Sequence, residues 1–169
     1  MAKVIILCGK IASGKSFYAN EIQKKTNATI LSVDDLMLKL SDSCLGSHHD
    51  DMALRCEHYF YSLAEQIIGN DGEVIIDFGY WLRKEREEAK QYFNKRGITV
   101  ELHYVNIPED KRLEQLELRN TTLIKDKDNQ SEEPWGERVY IIGEELRKRL
   151  DLKFEEPMED EVDKLISGM

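Results

Sequence analysis

Lys3-Val4-Ile5-Ile6-Leu7-Cys8 runs directly into Gly9-Lys10-Ile11-Ala12-Ser13-Gly14-Lys15-Ser16, and that junction decides the fold. The first stretch is mostly branched and apolar, the pattern of a strand buried on both faces, as in a parallel sheet. The second matches GxxxxGK[ST], the P-loop or Walker A pattern. Glycines permit positive φ there and let successive backbone N–H groups approach phosphate oxygens with no side chain in the way. A helix opening near Lys15 aims its N-terminus at the same anion. The candidate nucleotide contacts are therefore Gly9, Ile11, Ala12, Ser13, Gly14, Lys15, Ser16 and Phe17. Lys15 is placed to reach the β and γ phosphates, and the Ser16 hydroxyl suits Mg²⁺.

Outward from the loop, strands and helices alternate. A helix is expected from Lys15 to Lys25, a strand over Ala28–Val33 and a helix carrying Leu36, Met37 and Leu40. Ser41 to Asp50 reads as a loop. Met52, Cys56, Tyr59, Phe60, Leu63 and Ile67 recur at helical spacing up to Gly69. Glu73-Val74-Ile75-Ile76-Asp77 reads as a third buried strand, Arg83–Arg96 as a charged helix and Ile98–Val105 as a fourth strand. Pro108 suits the first turn of a helix running to about Asn120. Thr121–Glu133 is expected to be a loop, Pro134 to open a last helix to about Leu150, and residues 155–169 to form an acidic tail. This order predicts an α/β parallel sheet in one domain spanning residues 1–169.

Carboxylates at strand ends come next. Asp77 is a candidate Mg²⁺ holder, directly or through water, or else a strand-end cap. Phe78 follows it where motor-type ATPases place a glutamate, which counts against such a machine. Asn94-Lys95-Arg96-Gly97 begins like a guanine-recognition motif but ends in glycine. Asp34 follows the second strand, and ligands of open α/β sheets gather at the carboxyl ends of strands. There it could take a proton from an acceptor hydroxyl as a phosphoryl group moves. Asp34 or Asp35 could equally cap the following helix.

Gly9–Ser16, Ser32-Val33-Asp34-Asp35, Val74-Ile75-Ile76-Asp77 and Arg119-Asn120, in this order, resemble the small P-loop kinases. The match is to the polynucleotide-kinase and zeta-toxin-like type, a group that also holds chloramphenicol phosphotransferase and AAA_33-like ATP-binding proteins. The resemblance implies a sheet ordered 2-3-1-4, often with one more strand. It also implies ATP and Mg²⁺, an acceptor carboxylate at Asp34 and an arginine-bearing lid at about residues 120–133. The chain departs from phage-type polynucleotide kinases at Met37, where those carry an arginine that grips the acceptor end. It also has only Arg119 where the group often has two lid arginines.

Other residues carry weaker signals. Arg112 and Arg119 share a helix face, and Arg119 is the candidate phosphate contact that closes over the site. Lys125 and Lys127 alternate with Asp126 and Asp128, as in a solvated loop. His48-His49-Asp50-Asp51, with Cys44 nearby, lacks the spacing of a fixed metal site and reads as an acceptor-side loop. Trp135, Tyr140 or Phe154 could stack on a base, though core packing is the commoner role. Arg83 and Arg86 could meet an anionic acceptor or lie on a solvated face.

Composition bounds the partners. The 169 residues carry a net charge of −9, with 41% hydrophobic and 34% charged residues. No apolar run approaches a membrane span. Cys8, Cys44 and Cys56 are scattered and read as free thiols, so a cytoplasmic location is expected. The charge is uneven: Met1–Lys25 holds five lysines and one glutamate around the loop, whereas Glu155–Met169 holds six acids and one lysine. The balance argues against an extended nucleic-acid surface. The reading that follows is an ATP-dependent phosphotransferase with Lys15, Asp34 and Arg119 as catalytic candidates and Ser16 and Asp77 as metal candidates. Its acceptor is a hydroxyl on a small molecule or on a nucleoside- or nucleotide-type compound. The alternative is a regulatory module that binds a nucleotide and hydrolyses it slowly.

Overall fold

The computed structural model describes residues 2–40, 46–127 and 141–167. Five strands form one sheet: β1 Lys3–Cys8, β2 Thr29–Ser32, β3 Val74–Gly79, β4 Thr99–Val105 and β5 Lys164–Ile166. Their order is β2-β3-β1-β4-β5, and every pairing is parallel. The helices are α1 Lys15–Thr26, α2 Val33–Leu40, α3 His49–Gly69, α4 Arg83–Asn94, α5 Glu109–Lys127 and α6 Glu144–Lys153. Among the described residues, no helix is long and apolar enough to cross a membrane.

The period of two along the central strands divides the core into two layers. Val4, Ile6 and Cys8 of β1, with Val74 and Ile76 of β3, face α2, α3 and α4 through Met37, Phe60, Tyr61 and Phe93. Ile5, Leu7 and Ile75 face the opposite way, onto Tyr18 and Ala19 of α1. Burying each such aliphatic side chain contributes roughly 1.5–3 kcal/mol. β1 is therefore held from both sides, and its carboxyl end is a rigid base for the loop that follows.

Three elements differ from the sequence reading. α5 continues through Lys127, where a loop was expected from Thr121. The Thr121 and Thr122 hydroxyls donate to the carbonyls of Glu117 and Leu118 at 2.8 and 2.9 Å, and no proline or glycine interrupts the turn. The helix expected from Pro134 is described only from Glu144; residues 128–140 lie outside the described residues. Ile141–Gly143 is not helical, because Asn120 takes both backbone groups of Ile142: its amide donates to the carbonyl at 2.8 Å and its oxygen accepts the N–H at 3.2 Å.

The third difference is the expected acidic tail, which packs onto the sheet and α4. Lys164–Ile166 pairs with His103–Val105 as the fifth strand. The Asp163 carboxylate accepts the Leu102 N–H at 2.7 Å. Arg86 reaches Glu161 at 2.8 Å, and the Lys90 ammonium donates to the Glu161 carbonyl at 2.6 Å. The basic helix and the acidic segment, far apart in sequence, are each other's counter-charge.

Candidate active site

The loop after β1 takes the shape its glycines allow. Gly9 has φ +156°, and a Cβ there would stand 2.5 Å from the Val105 carbonyl oxygen. Ala12 and Gly14 sit at φ +58° and +91°. The Lys15 ammonium curls over the loop, 3.0 Å from the carbonyl oxygens of both Gly9 and Lys10. Burial lowers its pKa, and the charges of Asp77 and Asp34 act in the opposite direction. From behind, Arg112 donates to the Ile11 carbonyl at 3.0 Å. That arginine is only 2% exposed and is also bound to Glu109 and Asp151. Arg112 is thus committed to fixing the loop backbone rather than to meeting a phosphate.

Two candidate metal residues meet at the strand ends. Ser16 Oγ donates to Asp77 Oδ2 at 2.8 Å. β1 and β3 stay in register as far as Leu7 and Asp77, then a bulge pairs Cys8 with Gly79. Bulges re-aim side chains next to active sites, and this one follows Asp77 directly. A hydroxyl and a carboxylate side by side at a helix N-terminus fit Mg²⁺, which takes few protein oxygens and keeps its remaining positions for phosphate and water. Among the described residues, no group of three or more His, Cys, Asp or Glu is arranged to hold a metal; Cys44 lies outside the described residues.

A cleft of about 1060 Å³ opens over this pair, and it brings Lys15, Ser16, Asp34, Asp77 and Arg119 together. Loop residues Ile11 to Gly14 and Phe17 line it as well. Asp34 sits in the first turn of α2, reached by solvent through the cleft but surrounded by protein beyond it. Its pKa is raised by burial and by the Asp77 carboxylate, against the pull of Lys15, Arg119 and His49. The capping role open to Asp34 or Asp35 falls to Ser32, whose Oγ accepts the Asp35 N–H at 3.3 Å. Both aspartates therefore keep their carboxylates available to the cleft, which both line.

The far wall is the turn after β3. Tyr80 has φ +46° and, with Trp81 and Leu82, lines the cleft. Arg86, 2% exposed, donates to the carbonyls of Tyr80 (3.2 Å), Trp81 (3.3 Å) and Glu155 (3.0 Å). It is neither an acceptor contact nor a solvated residue; it staples the turn to the segment after α6. Arg83 pairs with Glu87 and Glu161. Behind the turn, the Tyr61 hydroxyl donates to buried Glu57 and lies 3.2 Å from the Tyr80 hydroxyl. Burial pushes the Glu57 carboxyl up to about 7.

The sequence reading missed the α6 face. Leu146, Arg149, Leu150 and Lys153 line the cleft at i, i+3, i+4 and i+7, a spacing legible in the sequence once the helix is placed. Phe154 stacks on Tyr104 at 6.1 Å and belongs to the core. Trp135, Tyr140 and Asp128 lie outside the described residues, as do the side chains of Lys125 and Lys127.

Comparison with known proteins agrees with this fold. A family model described as an AAA domain matches residues 4–135. No curated protein matches the chain. Among solved structures, the Mycobacterium tuberculosis APS kinase CysC, in complex with AMPPNP and APS, has a TM-score of 0.65 at 18% identity, covering 98% of this chain and 88% of that one. A gluconokinase from Sinorhizobium meliloti reaches 0.61 at 13% identity, covering 98% and 81%. Chaetomium thermophilum Kti12, in complex with ADP-AlF3, reaches 0.62 at 14% identity, covering 98% and 88%. The fold is that of the P-loop kinases.

Proposed function

The chain belongs to the AAA-domain family whose model covers residues 4–135, and on that premise we propose that it moves the γ-phosphoryl group of ATP to an acceptor hydroxyl. One observation carries this reading: a second acidic group, Asp34, shares the cleft with the Lys15 loop and the Ser16–Asp77 pair. Nucleotide binding alone needs the loop. A carboxylate across from it is what a hydroxyl acceptor needs.

In this mechanism the loop N–H groups and Lys15 hold the phosphates and neutralise charge that builds on the transferring group. Ser16 and Asp77 would hold Mg²⁺, which neutralises phosphate charge when bound. Asp34 orients the acceptor hydroxyl and takes its proton; its raised pKa brings its basicity closer to working pH. Arg119, exposed on α5, closes over the γ-phosphate. Positioning and electrostatics supply most of the rate. Product release returns ADP and a phosphorylated acceptor.

The test is ATP turnover with and without a panel of hydroxyl acceptors: nucleosides, 5′-hydroxyl oligonucleotides, sugars and antibiotics. An acceptor that raises turnover and gains phosphate supports the kinase. Slow hydrolysis indifferent to every acceptor would instead mark a nucleotide-dependent switch.

A further inference from the structure

Resting on the kinase reading for the transfer step, we propose that the acceptor is a hydroxyl compound carrying a protonated amine, held by the carboxylates of α2, α3 and α4 and the rings of Phe78 and Trp81. The two sides of the cleft differ in charge. α2 contributes Asp34 and Asp35, α3 contributes Asp50, and α4 contributes Glu85. Every Lys and Arg among the described lining residues comes instead from α1, α5 or α6: Lys15, Arg119, Arg149 and Lys153. His49 is the one base from the acidic side among the described lining residues. Lys153 stands at the seam, two residues before Glu155, whose N–H donates to the Trp81 carbonyl at 2.9 Å. Residues 41–45, between α2 and α3 in sequence, contain no Lys or Arg.

The pairing pattern sharpens this asymmetry. On α3 and α4, three acids outside the cleft carry their own bases: Asp51 pairs with Arg55, Glu87 with Arg83 and Glu88 with Lys84. Asp34, Asp35, Asp50 and Glu85, which line it, make no ion pair with another described residue. Glu85 spends one oxygen on the Leu82 N–H at 3.1 Å. Such a wall repels an anionic acceptor and attracts a cation. Phe78 and Trp81 also line the cleft, and aromatic rings attract an ammonium group. At about 1060 Å³ the cleft matches the upper end of small-molecule sites, so a nucleotide and a compact amine can share it. Arg119, Arg149 and Lys153 then balance the triphosphate, and the amine balances the carboxylates.

Matched compounds test the proposal: glucosamine, kanamycin and ethanolamine against glucose and gluconate, each with Mg·ATP for transfer and with Mg·AMPPNP for calorimetric binding. The expected kcat/KM and affinity favour an amine over its neutral counterpart by about tenfold, and gluconate ranks last. Asp50→Asn with Glu85→Gln should erase that preference through KM, with the KM for ATP unchanged. Amine binding without phosphoryl transfer to any compound would keep the acceptor chemistry and sink the kinase reading. A preference for glucose or gluconate, an amine preference that survives in the double variant, or no amine binding at all would overturn the proposal.

Discussion

The loop at Gly9–Ser16 and the turn at Tyr80–Trp81 close the same cleft by opposite means. The loop is held largely from within: Lys15 bonds to Gly9 and Lys10, and the Ser13 N–H bonds to Lys10 at 3.2 Å. Three distant groups also brace it: Arg112 on Ile11, the Gly79 carbonyl on the Gly9 N–H at 3.3 Å, and Asp77 on Ser16. The turn is held from afar, by Arg86 linking it to Glu155 and Glu161, and by Cys8 Sγ donating to the Tyr80 carbonyl at 3.3 Å. A site half is thus either written in a few adjacent residues or assembled from remote ones. Substitutions in the first should damage chemistry and spare stability, and substitutions behind the second should do the reverse.

Lys15→Ala should have the largest effect on chemistry, cutting phosphoryl transfer roughly 10³-fold or more with little change in the urea midpoint. Retained activity would break the comparison at its stronger end. Arg86→Ala should instead cost about 3–5 kcal/mol in urea unfolding, because Glu161 keeps a half-buried carboxylate without its closest partner. An unchanged midpoint would show that the turn stands without its staple. Asp34→Asn should lower transfer by ~10²-fold while nucleotide affinity holds, as measured by calorimetry with AMPPNP; parallel losses in both would make Asp34 structural.

Glu57 sharpens the comparison through pH. Its carboxyl titrates near 7 in the fold, against 4.5 ordinarily. Between those values the unfolded chain has released a proton that the folded chain retains, so folding stability falls as pH rises through that window. The loss is complete above about 7 and absent below 4.5. Glu57→Gln should flatten that fall, and an unchanged slope in urea titrations at pH 5, 6, 7 and 8 would place the carboxyl elsewhere. The smallest effect is expected at Asn120→Ala. Losing its two bonds to Ile142 should cost about 1–2 kcal/mol, read as a lower thermal midpoint with transfer retained.

The sequence made the loop half plain and left the other half obscure, for a physical reason. Val4–Cys8, the glycines and Lys15-Ser16 act on neighbours, so their spacing carries their meaning. The parallel α/β sheet was legible in short apolar strands alternating with helices, whereas the strand order followed only from the resemblance to the small P-loop kinases. The sequence left Arg86 between an anionic acceptor and a solvated face and placed Arg112 only on a face with Arg119, because only tertiary packing brings Glu161 and Asp151 to them. Ser32 took the capping role from its acidic neighbours through one bond that spacing alone did not single out. The strand Lys164–Ile166 was hidden because three residues in an acidic segment carry no readable period.

The staple at Arg86 also sets an order of events during synthesis. The loop's partners, Asp77, Gly79 and Arg112 included, are all synthesised by residue 112, so its supports are complete before Glu155 emerges. The Tyr80–Trp81 wall waits for Glu155 and Glu161. A growing chain therefore completes the loop half of the cleft well before the Tyr80–Trp81 half, and a ribosome-bound intermediate stalled before residue 155 would present the first without the second.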